Sequence, residues 1–244
     1  MKALRILFVL AVMTLSICQT PFSYAGFGDI VKGLQKAVGV GGGLSEDKII
    51  DGLKEALQIG TGNAVETVSR LGGYYENPQI KIPLPGALQK AGKLLRAVGY
   101  GSQLDAFEMS MNHAAEKAAP QAKSIFLDAI KGMNVTDAGK ILNGRENEAT
   151  LYFKEKTWDP LSKIFKPIIH NSMSEVGATQ KYQELEEKVR SMPFGGSLKI
   201  DLDQHVNNGA LDGLFFMLAE EEKKIRQNPA ARVTDLLKEV FGKK

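Results

Sequence analysis

Between Ser102 and Met133 the chain reads SQLDAFEMSMNHAAEKAAPQAKSIFLDAIKGM, and its apolar residues recur with the period of an α-helix. Leu104, Phe107, Met111, Ala114, Ala115 and Ala118 share one face, and the alanines among them let a neighbouring helix approach closely. Pro120 either kinks this helix or opens a second one carrying Ile125, Phe126, Ala129, Ile130 and Met133. Such an apolar face must be covered, and the remaining chain supplies further helices to cover it.

The flanking segments repeat the pattern. Ile49, Ile50, Leu53, Ala56, Leu57, Ala64, Val65, Val68 and Leu71 keep helical phase across Gly60-Thr61-Gly62, which predicts one long helix capped by Ser45 and ended by Gly72-Gly73. Leu88, Ala91, Leu94, Leu95 and Val98 predict a buried face on the next helix. Thr136 and Asp137 open a short helix closed by Gly144, and Arg145 to Thr157 form another. A restart at Asp159-Pro160 turns Leu161, Ile164, Phe165, Ile168 and Ile169 inward, with a bend at Pro167. Tyr182, Leu185 and Val189 mark a narrow seam. A helix capped by Asp201 or Asp203 follows, burying Val206, Ala210, Leu211, Leu214, Phe215, Leu218 and Ile225, with residues 220–224 as a solvated end. Val233, Leu236, Leu237, Val240 and Phe241 belong to a last amphipathic helix.

Two stretches cannot be helical. Asn77 to Pro85 holds three prolines, which force extended backbone at and before themselves, so it is a strap with Ile80, Ile82 and Leu84 pointing into the helices. Pro193 to Ile200 is the second strap, and its Leu-Lys-Ile raises the idea of a short ribbon with Ile80-Lys81-Ile82. The expected architecture is all-α, an irregular multi-helix bundle with two short extended straps. With only 7% aromatic residues and plentiful Ala, Leu, Lys and Glu, the composition favours helices over a sandwich or barrel.

Lys2 and Arg5 precede an apolar run from Ile6 to Ile17, and Ser23-Tyr24-Ala25 has small residues where a signal peptidase reads. Residues 1–25 are therefore expected to be a cleaved signal peptide, with cleavage after Ala25 and a periplasmic destination. The run is short of the roughly 20 residues that span a bilayer, so no transmembrane segment is expected in the mature chain. Cleavage would also remove Cys18, the only cysteine. Residues 26–43 read as a short amphipathic helix (Phe27, Ile30, Val31, Leu34, Val38) and a Gly-rich hinge, and 44–244 as a single helical domain. The net charge of +3, with Lys and Glu interleaved, gives no basic stripe for a nucleic-acid partner.

The motifs that would carry chemistry fall short. Gly39 to Gly43 has no preceding strand and no GK[ST]. GALQKAGK, Gly86 to Lys93, spaces its glycines wrongly for a phosphate loop. Asp201 to Asn207 has Val206 where a calcium loop needs glycine. No cofactor and no metal site are expected. His170 borders an apolar face and reads as a hydrogen-bonded structural histidine.

What remains is a carboxylate row, Asp105, Glu108, Asn112 and Glu116, with Glu108 at the edge of the apolar face, Asn112 and Glu116 on a wet flank, and His113 outside. A ligand or acid–base site would need Asp105, Glu108 or Asn112 to turn inward beside an arginine such as Arg96, Arg145 or Arg232. Solvation or inter-helix salt bridges are the plainer reading. The sequence favours an exported non-catalytic binding or interaction protein, holding a hydrophobic small molecule or a partner helix in a groove. A carboxylate-based or metal-assisted hydrolase and a structural envelope component stay open as alternatives.

The blocks LSEDKIIDGLKEAL, YYENPQIKIPLPG, LDAFEMSMNHAAEKAAP and IRQNPAARVTDLLKEVFGKK resemble, in sequence and order, those of a family of exported bacterial helical proteins catalogued as a domain of unknown function (DUF4197-like). The resemblance implies a helical fold and an envelope location. It implies no reaction and brings no catalytic residues.

Overall fold

A computed structural model describes residues 46–191 and 200–227. The expected signal peptide, the 26–43 helix and hinge, the Ser45 cap, nearly all of the second strap, the last amphipathic helix and Arg232 lie outside the described residues. The described part is all-α. Helix α1 (Glu46–Ser69) runs unbroken through Gly60-Thr61-Gly62, where the Thr61 hydroxyl donates to the Leu57 carbonyl at 2.7 Å. A Cβ on Gly60 would stand 3.4 Å from Ile225 Cδ1, so this helix lies close to a later one. Leu71 departs from the expected stripe. The helix stops at Ser69, and the turn that follows leaves Leu71 84% exposed.

The first strap is present as the sequence predicts. Gly72 takes a positive φ of 80° that L side chains rarely adopt, and the chain then turns into a stretch without regular structure. Ile80, Ile82 and Leu84 are buried, whereas Lys81 is half-buried and Pro83 exposed, the alternation of an extended segment lying on a core.

Helix α2 (Gly86–Ala97) buries Leu88 and Leu95 but leaves Leu94 and Val98 about half exposed, against the expectation for both. At 100° per residue they lie to one side of the Leu88–Leu95 direction, on a flank that no described element covers. Helix α3 (Gly101–Ala118) buries its whole expected face and packs against α1, α2 and three later helices, so it is the scaffold of the bundle. Pro120 marks the break after this helix, without being the first residue of the next α-helix. It sits in a 3-10 turn, Ala119–Gln121, that leads into α4 (Ala122–Lys131). Helix α5 (Val135–Asn143) begins with a capping box between Asn134 and Asp137.

Helix α6 (Glu148–Glu175) continues through both Pro160 and Pro167, where the sequence suggested a restart and a bend. Each proline removes one bond to the carbonyl four residues back. Pro160, Pro167, Lys156 and Lys163 all lie on the exposed side, so water can serve the freed carbonyls. Ile164 is on that side too, 39% exposed. Gly177, at φ 66°, ends the helix and α7 (Ala178–Arg190) follows with Tyr182, Leu185 and Val189 buried. Helix α8 (Leu202–Gln227) is capped by Asp201, whose carboxylate accepts the Gln204 N–H at 2.8 Å.

Pairs between α6 and α8 run in opposite directions along the two helices: His170 with Asp203, Ser162 with Asn207, Trp158 with Phe215, and Thr150 with Glu222. The helices are therefore antiparallel. Between them and α4, Phe126 meets Phe153 and Phe215 edge-on at 5.2 and 6.0 Å, and Trp158 stacks on Phe215. Each such buried aromatic stabilises the fold by about 2–3 kcal/mol.

Candidate functional site

The polar row of α3 holds the strap. Asn112 is fully buried, not on a wet flank; its Oδ1 accepts the Ile82 N–H and its Nδ2 donates to the Ile82 carbonyl, both at 2.8 Å. One turn on, Glu116 is 4% exposed and its carboxylate accepts the backbone N–H groups of Tyr74 and Tyr75 at 3.0 and 3.3 Å. One turn back, Glu108 pairs with Lys81 at 2.7 Å, not with an arginine, and the Lys81 ammonium lies 4.1 Å from the Tyr75 ring centroid. Glu108, Asn112 and Glu116 are thus spaced at four-residue intervals down one stripe of α3, and each grips the 74–82 segment.

Helix α8 grips the same segment from the other side with small residues. A Cβ on Gly213 would fall 2.6 Å from the Tyr74 ring, and one on Gly209 would fall 3.0 Å from Ile82. Tyr74 is fully buried in that gap, its hydroxyl donating to the Ala210 carbonyl at 2.6 Å. Burial, and then the Glu116 charge, push the phenol far above its ordinary value, so it remains a hydrogen-bond donor. At the far end His205 Nε2 lies 2.9 Å from the Pro83 carbonyl, a contact made by a protonated Nε2.

The remaining expected site residues separate. Arg96 and Asp105 form a two-pronged pair at 2.5 and 3.1 Å on the surface, each about half exposed. The hydrogen bond from Arg96 holds the Asp105 carboxyl below the ordinary range, and Asp105 raises Arg96 in turn. Arg145 is elsewhere, bound to Glu148 at 3.0 Å on the rim of a cleft between α5 and α6 of about 380 Å³. That bond lowers the Glu148 carboxyl. Asp105, Glu108 and Asn112 thus follow one another along α3, with Arg96 of α2 against Asp105, while Arg145 does not join them.

Two acids in the expected solvated end of α8 are buried. Glu221 accepts from Asn63 on α1 at 3.0 Å. Glu222 accepts from the Ala149 and Thr150 N–H groups at 3.0 and 2.9 Å, capping α6 from another helix, and also pairs with Arg226 at 2.8 Å. The signal was present: residues 221 and 222 fall in phase between Leu218 and Ile225.

A second cleft, about 340 Å³, opens between α6, α7 and the start of α8. Met173, Tyr182, Ile200 and Leu202 give it an apolar floor, and His170, Thr179, Gln183, Glu186 and Asp203 line its polar side. His170 Nδ1 donates to Asp203 at 2.8 Å, so the histidine does have an acidic partner, supplied by the fold. Burial, then Glu186, raise the Tyr182 phenol. A third depression, between α1, α5, α6 and α8, is lined by Leu53, Ala56, Leu57, Ile141, Ala149 and Ile225 and encloses only about 20 Å³. Among the described residues no group of three or more His, Cys, Asp or Glu is placed to hold a metal ion, and no helix is long and apolar enough to cross a membrane.

No curated protein and no solved structure matches the chain. A family model does match, over residues 43–242, which takes in the strap, both helices that grip it and the His170 cleft. On that match the chain belongs to the family described as Protein of unknown function (DUF4197).

Proposed function

We propose that the protein is an exported, non-catalytic binding protein of the cell envelope that takes a small hydrophobic ligand in the cleft between α6, α7 and α8. One observation carries the reading: a cleft of about 340 Å³, within the size range of small-molecule sites, sets an apolar patch of Met173, Tyr182, Ile200 and Leu202 among more numerous polar side chains. The apolar depression beside Ile225 holds little more than one water-sized body and is too small for this. The polar groups of the α3 row support a non-catalytic role, because Asn112 and Glu116 have their hydrogen-bonding capacity taken up by the strap. Export is supported by Lys2, Arg5, the Ile6–Ile17 run and Ser23-Tyr24-Ala25.

Native mass spectrometry of protein purified from whole cells tests both parts. A chain beginning at Gly26 and carrying a bound small molecule is expected. A chain that keeps residues 1–25 rejects the export reading, and a ligand-free chain rejects the cleft reading. The His170–Asp203 pair favours a second reading, a hydrolase, since Asp203 fixes the ring so that Nε2 can act as a base. Ester hydrolysis lost in His170→Gln would favour it over the first.

A further inference from the structure

Leu94 and Val98 are 49% and 50% exposed, and they lie beside cations that no acid on their own helix offsets. Helix α2 reads GALQKAGKLLRA, with Lys90, Lys93 and Arg96 and neither Asp nor Glu. Leu88 and Leu95 face the core at 0% exposure. At 100° per residue, Lys90, Lys93 and Ala97 point the opposite way, and all three are exposed, with Leu94 and Val98 along one flank. Arg96 is on the other flank and is neutralised by Asp105. At the C-terminal end of α2 a further cation arrives from α7, where Lys188 Nζ lies 5.3 Å from the Tyr100 ring centroid.

We propose that this face of α2 docks on an anionic lipid bilayer surface. Leu94 and Val98 enter the headgroup boundary while Lys90 and Lys93 meet lipid phosphates. The charge pattern selects this occupant. A second copy of the same face would bring like charges together. A nucleic acid would meet the lysines but leave Leu94 and Val98 in water. A bilayer surface satisfies both halves of the pattern. The surface is separate from the His170 cleft, so it stands or falls independently of the ligand reading.

The test is co-sedimentation of the purified chain with phosphatidylcholine vesicles, with and without phosphatidylglycerol, over a range of salt. Binding should require phosphatidylglycerol and weaken as salt rises. The double variant Lys90→Gln, Lys93→Gln should weaken it about 30-fold, at roughly fivefold per lysine near an anionic surface. Leu94→Ser with Val98→Ser should weaken it without changing its salt dependence. All four side chains are outside the core, so unchanged thermal unfolding of each variant is the control. Absence of binding to phosphatidylglycerol vesicles, or equal binding by wild type and both variants, overturns the proposal. So does a change of oligomeric mass in the variants with vesicle binding unaltered, which would assign the face to a second copy.

Discussion

Asn112 pairs with Ile82 through both backbone polar groups of the latter, at 2.8 Å each, so a side chain on α3 stands in for the neighbouring strand that the strap lacks. Its Nδ2 also donates to the Glu108 carbonyl of its own helix. Replacing it with leucine keeps the volume but leaves the Ile82 N–H and carbonyl buried without partners. Asn112→Leu should therefore lower stability by about 3 kcal/mol, read as a reduced midpoint in urea with little change of slope.

Glycine has opposite consequences at two helical positions. Gly213→Ala would place a methyl 2.6 Å from the Tyr74 ring and 3.1 Å from Ile80, and the overpacking should cost about 1–3 kcal/mol despite the better helix propensity of alanine. At Gly62 nothing lies within 4 Å of the added Cβ, so Gly62→Ala should gain about 0.5–1 kcal/mol. Thermal unfolding of the two variants should move in opposite directions, and a common sign would refute the packing account of the strap.

Most of this architecture was legible from phase, because burial along a helix follows the 3.6-residue period whatever it packs against. Leu104, Phe107, Met111, Ala114, Ala115 and Ala118 are all buried as predicted, and so is the strap's Ile80, Ile82, Leu84 alternation. The failures have other causes. Asn112 and Glu116 read as solvated because they are polar, and what buries them is backbone 30 and 42 residues away. Pro160 read as a helix start because local rules cannot tell that its freed carbonyl faces water. Leu94 and Val98 read as core because they are apolar, although at 100° per residue they lie on a flank of α2 away from Leu88 and Leu95. The candidate site suffered most, since the row and the strap were each legible while their pairing was not.

Glu222 and Arg226 form a buried pair that also caps α6. Removing the acid alone leaves a largely buried guanidinium and two uncapped N–H groups, so Glu222→Ala should cost about 3–5 kcal/mol. Arg226 also donates to the Ile141 carbonyl at 2.8 Å, so Arg226→Met is costly too. The double variant should lose less than the sum of the two, because the attraction between the pair is then lost only once. A double-mutant cycle in denaturant measures that difference, and strict additivity would show that the pair is not coupled.

The Arg96–Asp105 pair links stability to pH. Its hydrogen bond holds the Asp105 carboxyl below the value of about 3.9 that it takes in the unfolded chain. Above that value the carboxylate is charged in both states and the pair's contribution is fully present. As pH falls through the lower, folded-state value the folded carboxyl also binds its proton and the contribution is lost. Because both side chains are about half exposed, the effect is small and screened by salt. Carbon-13 titration of the Asp105 carboxyl by NMR should give a midpoint below the ordinary carboxylate value, moving up in Arg96→Gln. The same substitution should flatten the acid side of the stability profile at low salt and leave it unchanged at high salt. A midpoint indifferent to Arg96 would separate the low value from the ion pair and assign it to the rest of the α3 surface.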